Sequence, residues 1–324
     1  MRAAAQRIVP IALLGAAAAY MVARLIQADH IGFLALDYKL AAAQRLVDGH
    51  TLYPTSGPGF GDYPYPPIWA MVTTPLLVLP HLAAQYAAGI LCTLAVLAAL
   101  WVVGLRDPWC YAIALLSAPL TLVATVGNPT AFITLLVALS YRFGSAPAGI
   151  AVAVKLYPWP MLLWGLLTRG RRDLAVGVLV TLAAVLVPWA LIGFDGIEHY
   201  LTVSRTITDQ ARQDSGVLSP PVQVALTTVA LAGMWARRDR PADSFAFATL
   251  AMLTASPVLW GFYLVTALVP LAIQRPRVSP MWLVPLAFWG FGYYGRLALT
   301  FALLAWCGLG APTLRRLSAA TQPS

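Results

Sequence analysis

Residues 37–67 read DYKLAAAQRLVDGHTLYPTSGPGFGDYPYPP, and the fold predicted for the rest of the chain depends on this polar stretch. It contains three of the twelve acidic residues, Asp37, Asp48 and Asp62. An apolar run precedes it, and almost everything after it is a series of further apolar runs. A polar segment in this setting predicts a loop at one face of a membrane, with hydrophobic helices on both sides.

The composition supports a membrane protein. Of 324 residues, 60% are hydrophobic and 10% are charged, with a mean hydropathy of +0.75. Soluble domains carry about a quarter charged residues. Because a span takes ~20 apolar residues, we expect one all-α polytopic domain over residues 1–324, with about twelve transmembrane helices (10–13). The net charge of +9 lies in short basic clusters between apolar runs. That pattern indicates membrane orientation and argues against a nucleic-acid partner.

Arginine-rich turns set the expected topology. Residues 169–172, 237–240 and 275–277 carry such turns, which share one side with both chain ends if the first helix is an uncleaved span. The positive-inside rule then predicts a plasma-membrane protein with cytoplasmic termini and external loops at about 29–67 and 193–220. A cleaved signal peptide is the alternative to the first span. Helix breaks are predicted at Pro80-His81, Gly127-Asn128-Pro129 and Ser256-Pro257.

The first external loop is predicted to carry a short amphipathic helix. Leu36, Leu40, Ala43 and Val47 form one apolar stripe, and Asp37 and Asp48 share another face. Eleven residues of helix separate these carboxylates by ~16 Å, too far for a catalytic pair. Asp37 begins the helix, where the helix dipole favours a negative charge. The alternative is a solvated interfacial helix in which Asp37 has only this local role.

Three other positions are candidates for ligand contact. Lys155 lies in an otherwise apolar run, where an ionisable group is a functional candidate by default and snorkelling to the interface is the alternative. Together with an external carboxylate, it suggests a site for a phosphate or lipid phosphodiester. Tyr65 belongs to an aromatic-proline anchor at the interface and has a possible sugar contact. Asn128 lies in a turn between two helices.

Four stretches carry a family resemblance. They are Asp37-Tyr38 followed by Ala42, Gly49 and Tyr53; Tyr65-Pro66-Pro67-Ile68-Trp69 leading to Pro75, Leu76 and Pro80; Ala148-Gly149 running to Lys155-Leu156-Tyr157-Pro158; and Ser256-Pro257-Val258-Leu259-Trp260. In this order they resemble glycosyltransferase family 87, a GT-C-type group of polyprenyl-phosphate-mannose-dependent mannosyltransferases that includes enzymes of phosphatidylinositol-mannoside synthesis. Two stretches depart from the family pattern. Gly261-Phe262-Tyr263 stands where relatives usually have a histidine, and Gly127-Asn128-Pro129-Thr130 replaces a Gly-Gln-x-Asn turn.

The resemblance implies an external inverting transferase that moves a sugar, expected to be mannose, from a polyprenyl phosphate to a lipid or glycan hydroxyl. It implies Asp37 as the catalytic base and Lys155 at the donor phosphate, with Tyr65, Asn128, Trp260 and Tyr263 expected to line the substrate. No metal or other cofactor is expected.

Two alternatives remain open at this level. One is a flippase of lipid-linked sugars that binds phosphate through Lys155 and Arg24, although the internal repeats typical of transporters are not evident. The other is an inactive family member acting as a partner subunit.

Overall fold

The computed structural model describes residues 2–31, 34–54, 63–214 and 218–310. Within these ranges all regular structure is helical, with sixteen α-helices and four short 3-10 helices. The first eight α-helices are α1 (Arg2–Ile31), α2 (Leu34–Val47), α3 (Pro67–Thr73), α4 (His81–Val102), α5 (Pro108–Leu116), α6 (Ala118–Thr125), α7 (Thr130–Phe143) and α8 (Ser145–Val154). The others are α9 (Pro160–Arg169), α10 (Arg171–Leu191), α11 (Ile197–Asp214), α12 (Pro220–Ala236), α13 (Pro241–Thr254), α14 (Leu268–Gln274), α15 (Val284–Ala287) and α16 (Tyr293–Leu309). The 3-10 helices are Thr74–Val78, Gly261–Ala267, Pro280–Leu283 and Phe288–Gly290.

Several of these helices have the length and composition of membrane spans. Three described segments qualify: helix α4, helix α10, and residues Val9–Gln27 of α1. Helices α5 and α6 together make a fourth if the pair, bent by 61°, is one span. The chain is therefore an all-α, multi-pass membrane protein, as its composition predicted. The expectation of about twelve crossings stays a prediction.

Glycine and proline explain why several apolar runs form shorter helices. Helices α7 and α8 are separated by Gly144, whose φ of +106° suits a residue without a Cβ. Ser117 is extended between α5 and α6, and Pro119 follows it in the first turn of α6. Local backbone chemistry thus divides runs that hydropathy alone would leave continuous.

All three predicted helix breaks are present. Helix α4 begins directly after Pro80. Helices α6 and α7 are joined by a turn in which Gly127 has a φ of +58° and Asn128 Oδ1 accepts a hydrogen bond from Thr130 N at 3.0 Å. At the third break α13 ends at Thr254, just before Ser256.

Close helix packing holds the breaks in place. Helix α8 packs between α7 and α10, and α7 also contacts α4. A Cβ added at Gly149 of α8 would lie 2.4 Å from Gly177 O of α10, so the two backbones meet at this point. Each of the two segments predicted as external loops contains a helix, α2 in the first and α11 in the second.

Candidate functional site

A cavity of 540 Å³ lies where several of these breaks meet. Five predicted site residues line it: Tyr65, Asn128, Lys155, Trp260 and Tyr263. One wall is formed by α11, through Tyr200, Ser204, Ile207 and Thr208. The sixth predicted residue, Asp37, is not among the lining residues, although its neighbour Tyr38 is. Tertiary folding therefore brings most of the predicted site together.

Lys155 lies between two helices. The apolar run that contains it is not one continuous helix, because α8 ends at Val154 and α9 starts at Pro160. The backbone of Lys155 is extended there, with φ −151° and ψ 136°. Pro158 explains part of the break, because proline has no N–H to donate to the carbonyl of Val154 four residues earlier, so α8 cannot continue through it without losing that bond. The break directs the lysine side chain to the cavity.

The Lys155 ammonium contacts polar atoms and aromatic rings. Its Nζ donates a hydrogen bond to Tyr263 Oη at 3.0 Å and to Asn128 Oδ1 at 3.4 Å. It also lies 4.5 Å from the ring centroid of Tyr263 and 5.1 Å from that of Tyr65. Such contacts accommodate a cation without neutralising its charge.

Asn128 and Tyr65 are held by their own hydrogen bonds. Besides Lys155, Asn128 Oδ1 accepts from Thr130 N at 3.0 Å and from Thr130 Oγ1 at 2.7 Å. Asn128 Nδ2 donates to Tyr65 Oη at 3.4 Å. The carbonyl of Tyr65 accepts from Tyr53 Oη at 2.7 Å. These bonds fix the polar side of the cavity before any ligand enters.

Aromatic rings form an apolar surface beside the lysine. Trp260 and Phe262 stack with centroids 6.1 Å apart, and Tyr157 stacks on Tyr263 at 4.8 Å. Rings of this kind provide flat faces for the C–H groups of a sugar or for an isoprenoid chain. The cavity therefore combines one cation with an aromatic surface.

Lys39 contacts the same group of residues, although it was not identified as a site residue from the sequence. Its side chain is fully buried, and Nζ donates to Gly127 O at 2.8 Å and to Val126 O at 3.3 Å. It lies 5.8 Å from the ring centroid of Tyr65, the ring that Lys155 also contacts. Helix α2 is outside the candidate spans, and burial lowers the pKa of the Lys39 ammonium to about 7.

One sequence signal could have drawn attention to Lys39. Lys39 and Lys155 are the only lysines in the chain, and arginine supplies every other Lys/Arg position. Both contact Tyr65. Neither forms a salt bridge with a carboxylate among the described residues. A basic centre without a protein counter-ion favours an anionic ligand.

Asp37 lies at the junction of α2 and α4. It is in the first turn of α2, and its Oδ1 accepts from Gln85 Nε2 at 2.9 Å and lies 3.1 Å from His81 Nε2. Asp48 follows the other end of α2, is exposed, and accepts from Gln44 Nε2 at 2.8 Å. The structure thus separates the two carboxylates, as helical geometry predicted.

Two remaining sequence candidates lie elsewhere. Asp62 lies outside the described residues. Arg24, the second cation of the flippase alternative, hydrogen-bonds Gln27 and lies 5.6 Å from the ring centroid of Trp289, and it does not line the cavity. Among the residues that the structure describes, no three His, Cys, Asp or Glu side chains form a group that could hold a metal ion.

The sequence matches a known protein family over the range that contains most residues of the cavity. The sequence model of glycosyltransferase family 87 matches residues 63–275, more than half of the chain and the range that contains Tyr65, Lys155 and Tyr263. The chain belongs to glycosyltransferase family 87. It is accordingly a membrane glycosyltransferase, with a sugar donor and an acceptor as its substrates.

The matched range begins after α2, so Asp37 and Lys39 lie outside it. Comparison with curated proteins gave no match, and comparison with solved structures gave none. Neither comparison therefore provides a relative from which the roles of individual residues could be transferred to this family 87 protein.

Proposed function

We propose that this protein transfers the hexose mannose from a polyprenyl-phosphate donor to a hydroxyl group of a lipid or glycan acceptor. The observation that carries the proposal is the Lys155 ammonium, which faces an aromatic cavity without a carboxylate partner among the described residues. A sugar joined to a lipid by a phosphodiester has the matching chemistry: one anionic group between a saccharide and an apolar chain.

The cavity suits the head of such a donor. Its 540 Å³ falls within the ~300–1,000 Å³ typical of small-molecule sites. Lys155 would contact the phosphate, while Trp260 and Tyr263 would contact the sugar or the first isoprene units. When the bond to the sugar breaks, the phosphodiester becomes a phosphomonoester with additional negative charge. A fixed ammonium stabilises this charge more strongly in the transition state than in the ground state.

Asp37 would act as the general base. The oxygen of the acceptor hydroxyl attacks the anomeric carbon as the bond between that carbon and the phosphate oxygen breaks, and the electron pair of this bond remains on the phosphate. The hydroxyl proton passes to Asp37. A single displacement inverts the anomeric configuration. These steps use no cofactor.

A series of contacts from α2 to Lys155 supports a site shared by Asp37 and Lys155. Tyr38 follows Asp37, lines the cavity, and stacks on Tyr65 with ring centroids 6.4 Å apart. Tyr65 in turn contacts Lys155. An acceptor entering beside α2 would therefore meet the donor sugar between Asp37 and Lys155.

The membrane arrangement in this proposal follows the charge pattern of the sequence. Both termini are cytoplasmic, about twelve segments cross or enter the plasma membrane, and α2, α11 and the cavity face outward. A lipid-linked donor suits that side, because nucleotide sugars are cytoplasmic.

The test compares two Asp→Asn variants at opposite ends of α2. Purified wild type, Asp37→Asn and Asp48→Asn are placed in liposomes with labelled polyprenyl-phosphate mannose and a lipid acceptor. Loss of a general base reduces rates by about 10²–10⁴-fold, so Asp37→Asn should lose nearly all transfer. Asp48→Asn should retain it, because Asp48 is exposed and follows the end of α2 opposite to Asp37.

Full transfer by Asp37→Asn would remove Asp37 from the mechanism. If wild type transfers no sugar from several polyprenyl-phosphate donors but moves them across the liposome membrane, the protein is a lipid-sugar transporter and the proposal is wrong.

A further inference from the structure

The two side chains that contact Asp37 both use the same carboxylate oxygen. Gln85 Nε2 donates to Asp37 Oδ1 at 2.9 Å, and His81 Nε2 lies 3.1 Å from that same oxygen. Oδ2 has no hydrogen-bond partner among the described residues. The carboxylate is thus held from one side only.

We propose that His81 and Gln85 are positioning residues that hold Asp37 Oδ1 and leave Oδ2 to accept the proton of the acceptor hydroxyl. This inference rests on the proposed role of Asp37 as general base. It adds two residues of α4 to the reaction, and neither of them lines the cavity that contains Lys155.

The start of α4 explains why the two donors converge. Pro80 precedes the helix and His81 is its first residue. His81 and Gln85 are four residues apart, so they lie on one face, one turn above the other. A carboxylate held between them is restricted in rotation about its last side-chain bond.

The contact does not depend on the charge of the imidazole. Nε2–H is a donor in one neutral tautomer of histidine and in the charged form, so His81 can hold Oδ1 in either state. The N-terminus of α4 also favours the negative charge of Asp37, because the positive end of the helix dipole lies close to this carboxylate. Asp37 is also in the first turn of α2, where the same effect operates.

Exposure suggests that the contact between His81 and Asp37 matters more for geometry than for folding. The side chains of His81 and Asp37 are 63% and 44% exposed. Exposed pairs of this kind contribute little to stability, typically below about 1 kcal/mol. Substitution of His81 should therefore leave the fold intact and change the position of the base.

The experiment measures transfer kinetics for five variants in liposomes: His81→Ala, His81→Gln, Gln85→Ala, the double variant His81→Ala/Gln85→Ala, and His50→Ala. Misplacement of a catalytic group by about 1 Å costs up to about 10²-fold. We expect His81→Ala to lower kcat about tenfold without changing the KM for the donor, and the double variant to lower it about a hundredfold. His81→Gln should recover most of the rate, because its amide N–H donates in place of the imidazole. His50→Ala replaces an exposed histidine after α2 and should match wild type.

Two kinetic results would overturn the proposal. One is wild-type kcat in the double variant, and the other is a His81→Gln enzyme as slow as His81→Ala. The apparent unfolding temperature in detergent is measured for every variant, and a loss of rate that parallels a loss of stability would also count against a positioning role. Asp37→Asn separates the two claims. If it is inactive while the double variant has wild-type kcat, only the positioning role fails, whereas an active Asp37→Asn removes the general base itself.

Discussion

Replacing Lys155 by methionine separates a phosphate-binding role from a structural role. Methionine keeps the length and apolar stem of the side chain but removes the ammonium that donates to Tyr263 and Asn128. If Lys155 binds the donor phosphate, the substitution should impair transfer and leave the fold intact.

The expected magnitude follows from the contacts. A hydrogen bond to a charged group contributes about 1.5–3 kcal/mol, so kcat/KM for the donor should fall roughly 10- to 150-fold. Stability should respond differently. Lys155 has no described carboxylate partner, and replacing a buried charge with an apolar group of similar volume is often neutral or stabilising. The apparent unfolding temperature should therefore be unchanged or higher.

The assay varies the donor concentration at saturating acceptor, with thermal unfolding measured in detergent on the same preparations. Tyr263→Phe is the matched variant, because it keeps the ring and removes only the hydroxyl that accepts from Lys155. We expect a smaller loss for it, about tenfold or less, since the ammonium remains. Wild-type kcat/KM in Lys155→Met would refute the phosphate role, and a large drop in unfolding temperature would indicate that the lysine is structural.

Two further predictions concern the supports of the cavity. Lys39→Met should lower the apparent unfolding temperature by several degrees, in contrast to Lys155→Met, because it leaves the buried carbonyl of Gly127 without its donor, at about 1–3 kcal/mol, and also removes the bond to the partly buried carbonyl of Val126; an unchanged temperature would show that these bonds are dispensable. Gly149→Ala should destabilise the protein by about 1–3 kcal/mol and reduce transfer, because its Cβ would lie 2.4 Å from Gly177 O and force α8, which ends directly before Lys155, away from α10. Gly15→Ala is the control, since a Cβ there meets nothing within 4 Å, and equal behaviour of the two alanine variants would contradict the packing argument.

Local sequence was sufficient for the fold class and for three of the helix breaks. Helix formation, proline and glycine breaks, and bilayer insertion depend on neighbouring residues, so an all-helical membrane protein broken at Pro80, Asn128 and Ser256 could be predicted. The number of crossings could not be predicted as firmly. Hydropathy does not distinguish one bent span from two short helices, as the 61° bend between α5 and α6 illustrates.

Some site residues could likewise be identified from the sequence, and others could not. Lys155 stood out because a lysine in an apolar run is costly wherever it lies. Lys39 did not, because it occurs in a polar stretch where a lysine is unremarkable, and only the packing of the turn at Gly127 buries it. His81 likewise gave no local signal, since its partner Asp37 lies on another helix.

The sequence by itself determined an all-helical membrane protein, its breaks and the isolated cation at Lys155, because each depends on short-range chemistry or on the bilayer. Tertiary structure decided which groups meet. It placed both lysines at Tyr65, brought Asn128 and Tyr263 to Lys155, and set His81 against the carboxylate of Asp37. Contacts between residues distant in the chain depend on how helices pack, which no local pattern specifies.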